Sequence, residues 1–389
     1  MERTRTMDRK RAVERYELRE SAEAIAASMG YSPRWVYKWV ERASSGEDEW
    51  WLDRSRRPGQ TRRRYDGSIQ SLIVKVRDEL ENEGNFSGAQ SIEWELEQRG
   101  LDAIPSVRTI GRVLKSHGRI HRRQGRYKSK GKIYPGPVIE GPGSVHQSDF
   151  VGPRYLKGPV RFYSLNHVDL TSARCATTPM QARAGQATID AFWSCWKRLG
   201  MPAAQQIDNE AIFYGSRRHP RAMGQLIRLC LLHGIEPWFI PPAEPWRNSV
   251  VEKFNDYFGR KFLNRIVMES FEQLHVESLA FEQRHNSRWR YSKLGGKTPN
   301  QFLSNSRRTL RFPTSDQPPE HPLPKPETGR YHLVRFIRSD GLLDVFGERF
   351  PVPPEAIYEY VRATVDVDQQ KLLFYLDGHL IDQFSYRLR

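Results

Sequence analysis

Three carboxylates in this 389-residue chain are placed where acids could act together. Asp149 falls in a strand-like run, HQSDFVG, and Asp208 ends a short run and is followed by Asn209. Glu252 lies one turn into an amphipathic segment, NSVVEKFN. Taken singly, an Asp at a strand end is more often a turn or capping residue. Taken together, two strand ends and a neighbouring helix can bring all three acids to one point. Carboxylates gathered in this way repel one another unless cations fill the space between them. The implied chemistry is phosphoryl transfer on two metal ions. An all-oxygen donor set with no nearby His or Cys cluster favours Mg²⁺ or Mn²⁺.

The approach to Glu252 is stiffened by Pro241, Pro242 and Pro245, and Asn248 or Ser249 is expected to cap the helix. Val251, Phe254, Phe258 and Phe262 recur at helical spacing and should lock that helix onto a core. This fixes the direction of Glu252, as a metal ligand requires. A solvated acid at a helix start is the plainer alternative.

The elements that must carry these residues can be traced over residues 144–305. Strands are expected over 145–152, 159–170, 173–180, 203–208 and 235–240. Helices are expected over 185–200 and 219–233, before the one that bears Glu252. Antiparallel strands followed by alternating helix and strand predict a mixed α/β sheet with helices on both faces.

Charge is the other strong signal. The net charge of +16 implies an anionic partner. Residues 54–64 hold six arginines, including Arg56, Arg57, Arg62 and Arg63, and no acid. Residues 119–132 hold seven cations, including Arg122 and Arg123, again with no acid. Such acid-free clusters usually meet phosphates, although a solvated hinge is the alternative. No run of 18 apolar residues exists and the N-terminus is charged throughout, so neither a membrane span nor a signal peptide is expected. Three cysteines without a CxxC pair suggest a reducing compartment. The expectation is a cytoplasmic protein, nucleoid-associated when bound to DNA, with no membrane partner.

Two helical modules surround the first basic stretch. A charged helix over 7–18 precedes a helix, a Gly30 turn and a second helix, capped by Ser32 with Pro33 at its first position. This pattern predicts a helix-turn-helix, with Arg34 and Lys38 facing DNA; a plain helical hairpin is the alternative. Helices over 68–84, 87–100 and 105–118 repeat the plan, with Arg108, Thr109, Arg112 and Lys115 along the last. At the far end, short strands separated by Asp-Gly and similar turns suggest a small antiparallel barrel. The Pro-rich stretch before it reads as a stiff tether.

The segments HQSDF, IDNE and NSVVEKFN resemble the three signature segments of the integrase-type DDE transposases, a group shared by bacterial insertion sequences and retroviral integrases. HNSRWRYSKLGGKTPNQFL (285–303) is similar to the stretch beyond the third segment in the insertion-sequence members. The resemblance implies a multidomain α+β chain: helix-turn-helix domains at 1–52 and 67–118, a ribonuclease-H-like catalytic domain at 144–305 and a small β-barrel at 330–389. Linkers are expected at 53–66, 119–143 and 306–329. It further implies that Asp149, Asp208 and Glu252 hold two Mg²⁺ or Mn²⁺ ions per site and that Asp169 is structural. Lys253 and Arg260 become candidates for holding a DNA end.

Three departures from the family pattern stand out. Glu210 replaces the usual Gly after Asp-Asn, the Asp208-to-Glu252 spacing is lengthened around residues 214–223, and Gly259 takes a position often basic. The expected activity is 3′-end cleavage and strand transfer by a multimer on double-stranded DNA, acting on both element ends and target. A catalytically silent DNA-binding scaffold and a nuclease without strand transfer are the rival readings.

Overall fold

The computed structural model describes residues 2–54, 65–120 and 132–389. Arg56, Arg57, Arg62, Arg63, Arg122 and Arg123, expected to meet DNA, lie outside the described residues. The chain divides into two compact units, Met1–Asp66 and Gly67–Arg389.

The first unit holds α1 (Glu2–Glu17), α2 (Ala22–Met29) and α3 (Pro33–Ser44). Ser21 and Ser32 cap the second and third helices, each accepting a backbone N–H three residues on. Gly30, at φ 74°, closes α2 in the left-handed region where most side chains are strained. Ile25, Ala26, Val36 and Trp39 are buried between the helices. Arg9 lies 4.2 Å from the Trp39 ring and donates to Asp53 at 3.0 Å.

The second unit opens with α4 (Gly67–Asn82), α5 (Ala89–Gln98) and α6 (Val107–Ser116), packed around Ile73, Val76, Ile92, Leu96 and Ile110. Next in the chain are β1 (Val145–Tyr155), β2 (Arg161–Asp169), β3 (Cys175–Met180), α7 (Gly185–Leu199), β4 (Ala204–Ile207), α8 (Ala211–Tyr214), α9 (Gln225–Leu232) and β5 (Glu236–Phe239). Then come α10 (Ser249–Phe258), α11 (Phe271–Arg288) and α12 (Pro299–Ser304). The last strands are β6 (Arg330–Phe336), β7 (Leu342–Val345), β8 (Glu348–Pro351), β9 (Tyr360–Asp366), β10 (Lys371–Leu376) and β11 (His379–Ser385).

Strands β1 to β3 pair antiparallel, while β4 and β5 join parallel to β1, giving the order β3-β2-β1-β4-β5. This is the mixed sheet expected from the sequence. Its β3 edge is covered rather than bare: the Asn286 amide on α11 accepts from Cys175 N and donates to Cys175 O, and Glu282 accepts from Thr177 N.

The expected separate barrel is corrected by the pairing beyond β5. β6 pairs parallel to β5 through Trp238–His332 and Phe239–Leu333, and β9, β10 and β11 are added in turn. One nine-stranded sheet results, with β7 and β8 as a hairpin apart. The physical reason is the open edge of β5, whose backbone groups need partners. His332 adds a contact to Glu236 at 3.1 Å. The Pro-rich stretch is likewise held against the core. Ser315 O accepts from the Trp193 indole and Leu323 O from Arg228, while Leu323 itself is buried.

All three cysteines are buried and unpaired. No helix among the described residues is long and apolar enough to cross a membrane.

Candidate active site

Alternation along β1 sends successive side chains to opposite faces. Phe150 joins the core beneath α7 and α9, while Gln147 and Asp149 face α10. The β1–β4 register pairs Gln147 with Gln206. Continued two residues, it sets Asp149 beside Asp208, which directly follows β4. Glu252 lies in the first turn of α10.

The helix that carries Glu252 is not capped as expected. Neither Asn248 nor Ser249 supplies a side-chain cap. Instead Gln147 reaches across from β1, and its carbonyl oxygen accepts the Val250 and Val251 N–H groups at 3.1 Å each. Asn248 is buried and donates to Ser148 O at 3.0 Å, and Gln206 donates to Arg247 O at 2.9 Å. Two sheet glutamines therefore anchor the start of α10. The sequence signal was there, since Gln147 stands two residues before Asp149, but only the register reveals its target. Val251, Phe254 and Phe258 are buried as their spacing predicted. A π-helical turn, Gly259–Leu263, continues the helix.

Asp149 accepts from its neighbour Phe150 N and from the Asn255 amide, both at 2.8 Å. Asn255 in turn accepts from Asn166 on β2 at 2.8 Å. Burial, and then the charges of Asp208 and Glu252, push the Asp149 carboxyl up to about 6. Burial pushes Asp208 up to about 6 as well, with Arg183 opposing. Burial also raises Glu252. Asp208 accepts from Glu210 N at 3.0 Å. Glu210, the acid the family pattern lacks, is not loose in the site, because it forms an ion pair with Arg183. That guanidinium also lies 4.6 Å from the Phe150 ring.

Among the described residues, no three acid, His or Cys side chains converge tightly enough to ligate an ion as they stand. The donor set itself, all carboxylate oxygens with raised proton affinity, fits a hard divalent cation.

Asp169 has a different task. Its carboxylate accepts from the N–H groups of Gly143, Thr171 and Ser172, so it shapes the turn after β2. The lengthened segment after β4 is held by the C-terminal strands. Arg221 binds Glu348 with two hydrogen bonds, and the Tyr386 hydroxyl donates to Pro220 O.

The expected DNA contacts divide by environment. Arg34 and Lys38 are exposed on α3, as are Arg108, Arg112 and Lys115 on α6. The Thr109 hydroxyl is engaged with Ser106 at the start of α6. Lys253 is exposed, whereas Arg260 pairs with Asp256 at 2.5 Å. The second helical module turns its acids toward the core. Glu81 meets Lys261, Glu83 meets Arg288, and Glu97 meets Arg290. Phe86 inserts among Tyr257, Trp289 and Tyr291.

Residues 233–299 match the family model of the integrase core domain, and residues 3–51 match that of a homeodomain-like domain. Over residues 233–299 the chain is thus similar to an integrase core domain. That similarity, beside a homeodomain-like match, is consistent with a DNA transposase or integrase of the DDE type. The integrase-core match contains Glu252 but neither Asp149 nor Asp208. No curated protein matches the sequence. Among solved structures, the HTLV-2 integrase catalytic core domain in complex with magnesium, in its trimeric form, is 17% identical, covers 42% of this chain and 97% of that one, and has a TM-score of 0.33. Its dimeric form is 19% identical over 42% of this chain and 97% of that one, with a TM-score of 0.30. The simian T-cell lymphotropic virus intasome in complex with the PP2A regulatory subunit B56 gamma is 16% identical, covers 76% and 93%, and has a TM-score of 0.36.

Proposed function

We propose that the protein is a DNA transposase that binds the terminal inverted repeats of a mobile element, frees a 3′-OH at each end and joins it to target DNA. The observation that carries this reading is the Asp149–Asp208–Glu252 arrangement: Asp149 within β1 beside Asp208 just past the end of β4, with Glu252 on a helix that Gln147 anchors from the same sheet. Asp149, Asp208 and Glu252 are the residues to hold two Mg²⁺ or Mn²⁺ ions. Those ions, when bound, supply the Lewis acidity that activates an attacking oxygen and offsets charge on the leaving one. The chain's own part is positional. Asn255 and the Phe150 N–H orient Asp149, and the buried Val251/Phe254/Phe258 stripe keeps Glu252 aimed. No side chain is needed as a covalent nucleophile, because water attacks in the cleavage step and the freed 3′-OH attacks the target phosphodiester in line in the joining step.

Arg34, Lys38, Arg108 and Arg112 are assigned to element-end DNA, supported by their exposure on third helices. Arg56, Arg57, Arg62, Arg63, Arg122 and Arg123 are assigned to backbone phosphates by charge alone. Both ends must be processed together, so a multimer on DNA is part of the proposal.

A cleavage and strand-transfer assay on labelled element ends with Mg²⁺ tests it, comparing wild type with Glu252→Gln. The expected result is joined product from wild type and a loss of roughly a thousandfold or more in the variant, with DNA binding retained. Binding without chemistry in both proteins supports the silent DNA-binding scaffold, and cleavage without joining supports the nuclease.

A further inference from the structure

A cleft of about 620 Å³ lies where α5 of the second helical module meets α10 and the segment after α11. That volume is within the range of small-ligand pockets, roughly 300–1,000 Å³. Its walls include Phe86, Trp94, Tyr257 and Tyr291, with Lys253 and Lys293 also lining it. Phe86 meets the Tyr257 and Tyr291 rings edge-on, at 5.1 and 5.9 Å between centroids. Gly296 permits the close approach of Trp94, since a Cβ there would stand 3.2 Å from the indole.

The charges in the cleft are unbalanced. Arg290 is paired with Glu97 at 3.1 Å, but neither Lys253 nor Lys293 forms an ion pair among the described residues. The two lysines act on each other by repulsion, and Asp169, the acid whose charge acts on Lys293, already accepts from three backbone N–H groups. Two like charges beside an aromatic wall are complementary to an anion that carries a flat ring. Lys253 directly follows Glu252, so the cleft opens on the neighbouring face of the helix that bears the proposed site.

We infer that this cleft takes one unpaired nucleotide of a DNA strand, its base against Trp94 and its phosphate between Lys253 and Lys293. A base inside a duplex is stacked on its neighbours and shows no free face, so the cleft selects an unstacked one. This deepens the transposase reading and rests on it only for which strand arrives. The aromatic and cationic complementarity stands whether or not the chain cleaves DNA.

The test is binding of a fluorescein-labelled thymidine oligonucleotide of about eight residues to the full chain, without divalent metal, beside binding of an element-end duplex. Trp94→Ala is expected to weaken the unpaired oligonucleotide by roughly 5- to 100-fold, from the stacking of one base. Trp94→Phe should keep most of the affinity. The Lys253→Ala/Lys293→Ala double variant alters two lysines outside any ion pair and should fold normally. It should flatten the salt dependence by about 1.4 in log–log slope, two phosphate contacts' worth for a single strand. Duplex affinity should hold in both Trp94 variants. Oligonucleotide affinity unmoved by Trp94→Ala and by the lysine pair overturns the inference. So does a parallel loss of duplex affinity in Trp94→Ala, or full competition by free thymidine monophosphate at equal nucleotide concentration. Loss of cleavage with these results intact counts against the transposase reading alone.

Discussion

At the seam between the second helical module and the integrase core, Glu81, Glu83 and Glu97 each lie on a cation. At the proposed site, Asp149, Asp208 and Glu252 form no ion pair among the described residues. The Glu81 carboxyl is held below its usual range, first by the Ser87 hydroxyl and then with help from Lys261. Those of Asp149, Asp208 and Glu252 are pushed up. Both regions are rich in acid, but only one is neutralised within the fold. The seam satisfies its acids internally and so contributes to structure. The site leaves its acids, Asp149 and Asp208 hydrogen-bonded, without a paired cation among the described residues and so costs stability until something cationic arrives, which is how perturbed groups mark functional places.

The largest effect expected is on the seam. Phe86→Ala removes a ring packed among three aromatics and should lower the stability of residues 67–389 by about 2–4 kcal/mol. In calorimetry the transition of the first unit should stay where it is. A common shift of both transitions would mean the two units unfold together.

The site should respond to metal in the opposite sense. Mg²⁺ at about a hundred times its dissociation constant should stabilise wild type by about 2.7 kcal/mol. Asp149→Asn should lose most of that gain, read as the shift in melting temperature on adding the ion. An equal shift in both proteins would place the ion elsewhere.

Proton linkage gives the third contrast. Asp149 titrates at about 6 in the fold but at roughly 4 when unfolded. Between those values the folded chain holds more protons than the unfolded one, so stability falls as pH rises through that window. Metal-free Asp149→Asn should therefore be more stable than wild type by about 1–2 kcal/mol at pH 7 and nearly equal to it at pH 4. For Glu81 the sign reverses. Its lowered value contributes stability above the unfolded value of roughly 4, which is lost as pH falls further. Glu81→Gln, the smallest effect, should cost under about 1 kcal/mol at pH 7 and nothing once both forms are protonated.

Much of the architecture could be read from the chain beforehand, because local signals were strong. The Ser32-Pro33 start of α3, the glycine-punctuated helices of the second module and the strand runs around Asp149 and Asp208 all lie within a few residues of where they were expected. Even the presence of short C-terminal strands is legible. Their partners are not, because alternation and turn residues describe a strand without naming its neighbour. The same limit hid the docking of the second module. Glu81, Glu83 and Glu97 look like a solvated helix face until Lys261, Arg288 and Arg290 are brought to them from nearly two hundred residues away. At the site, residue types pointed to the acids, whereas Gln147's hold on α10 depended on register alone.

The continuation of the sheet past β5 has a bearing on how the protein is made. β5 emerges from the ribosome well before β6, which alone covers its open side, and the stretch between them contains all of α10, α11 and α12. During synthesis the nascent core therefore waits with an apolar, half-finished edge, the kind of surface on which chains pair wrongly. Translation must pass Arg330 before the Glu252 helix rests on a completed sheet. A polypeptide interrupted between residues 305 and 330 should collect in the insoluble fraction, whereas one that extends past β6 has the strand that covers β5.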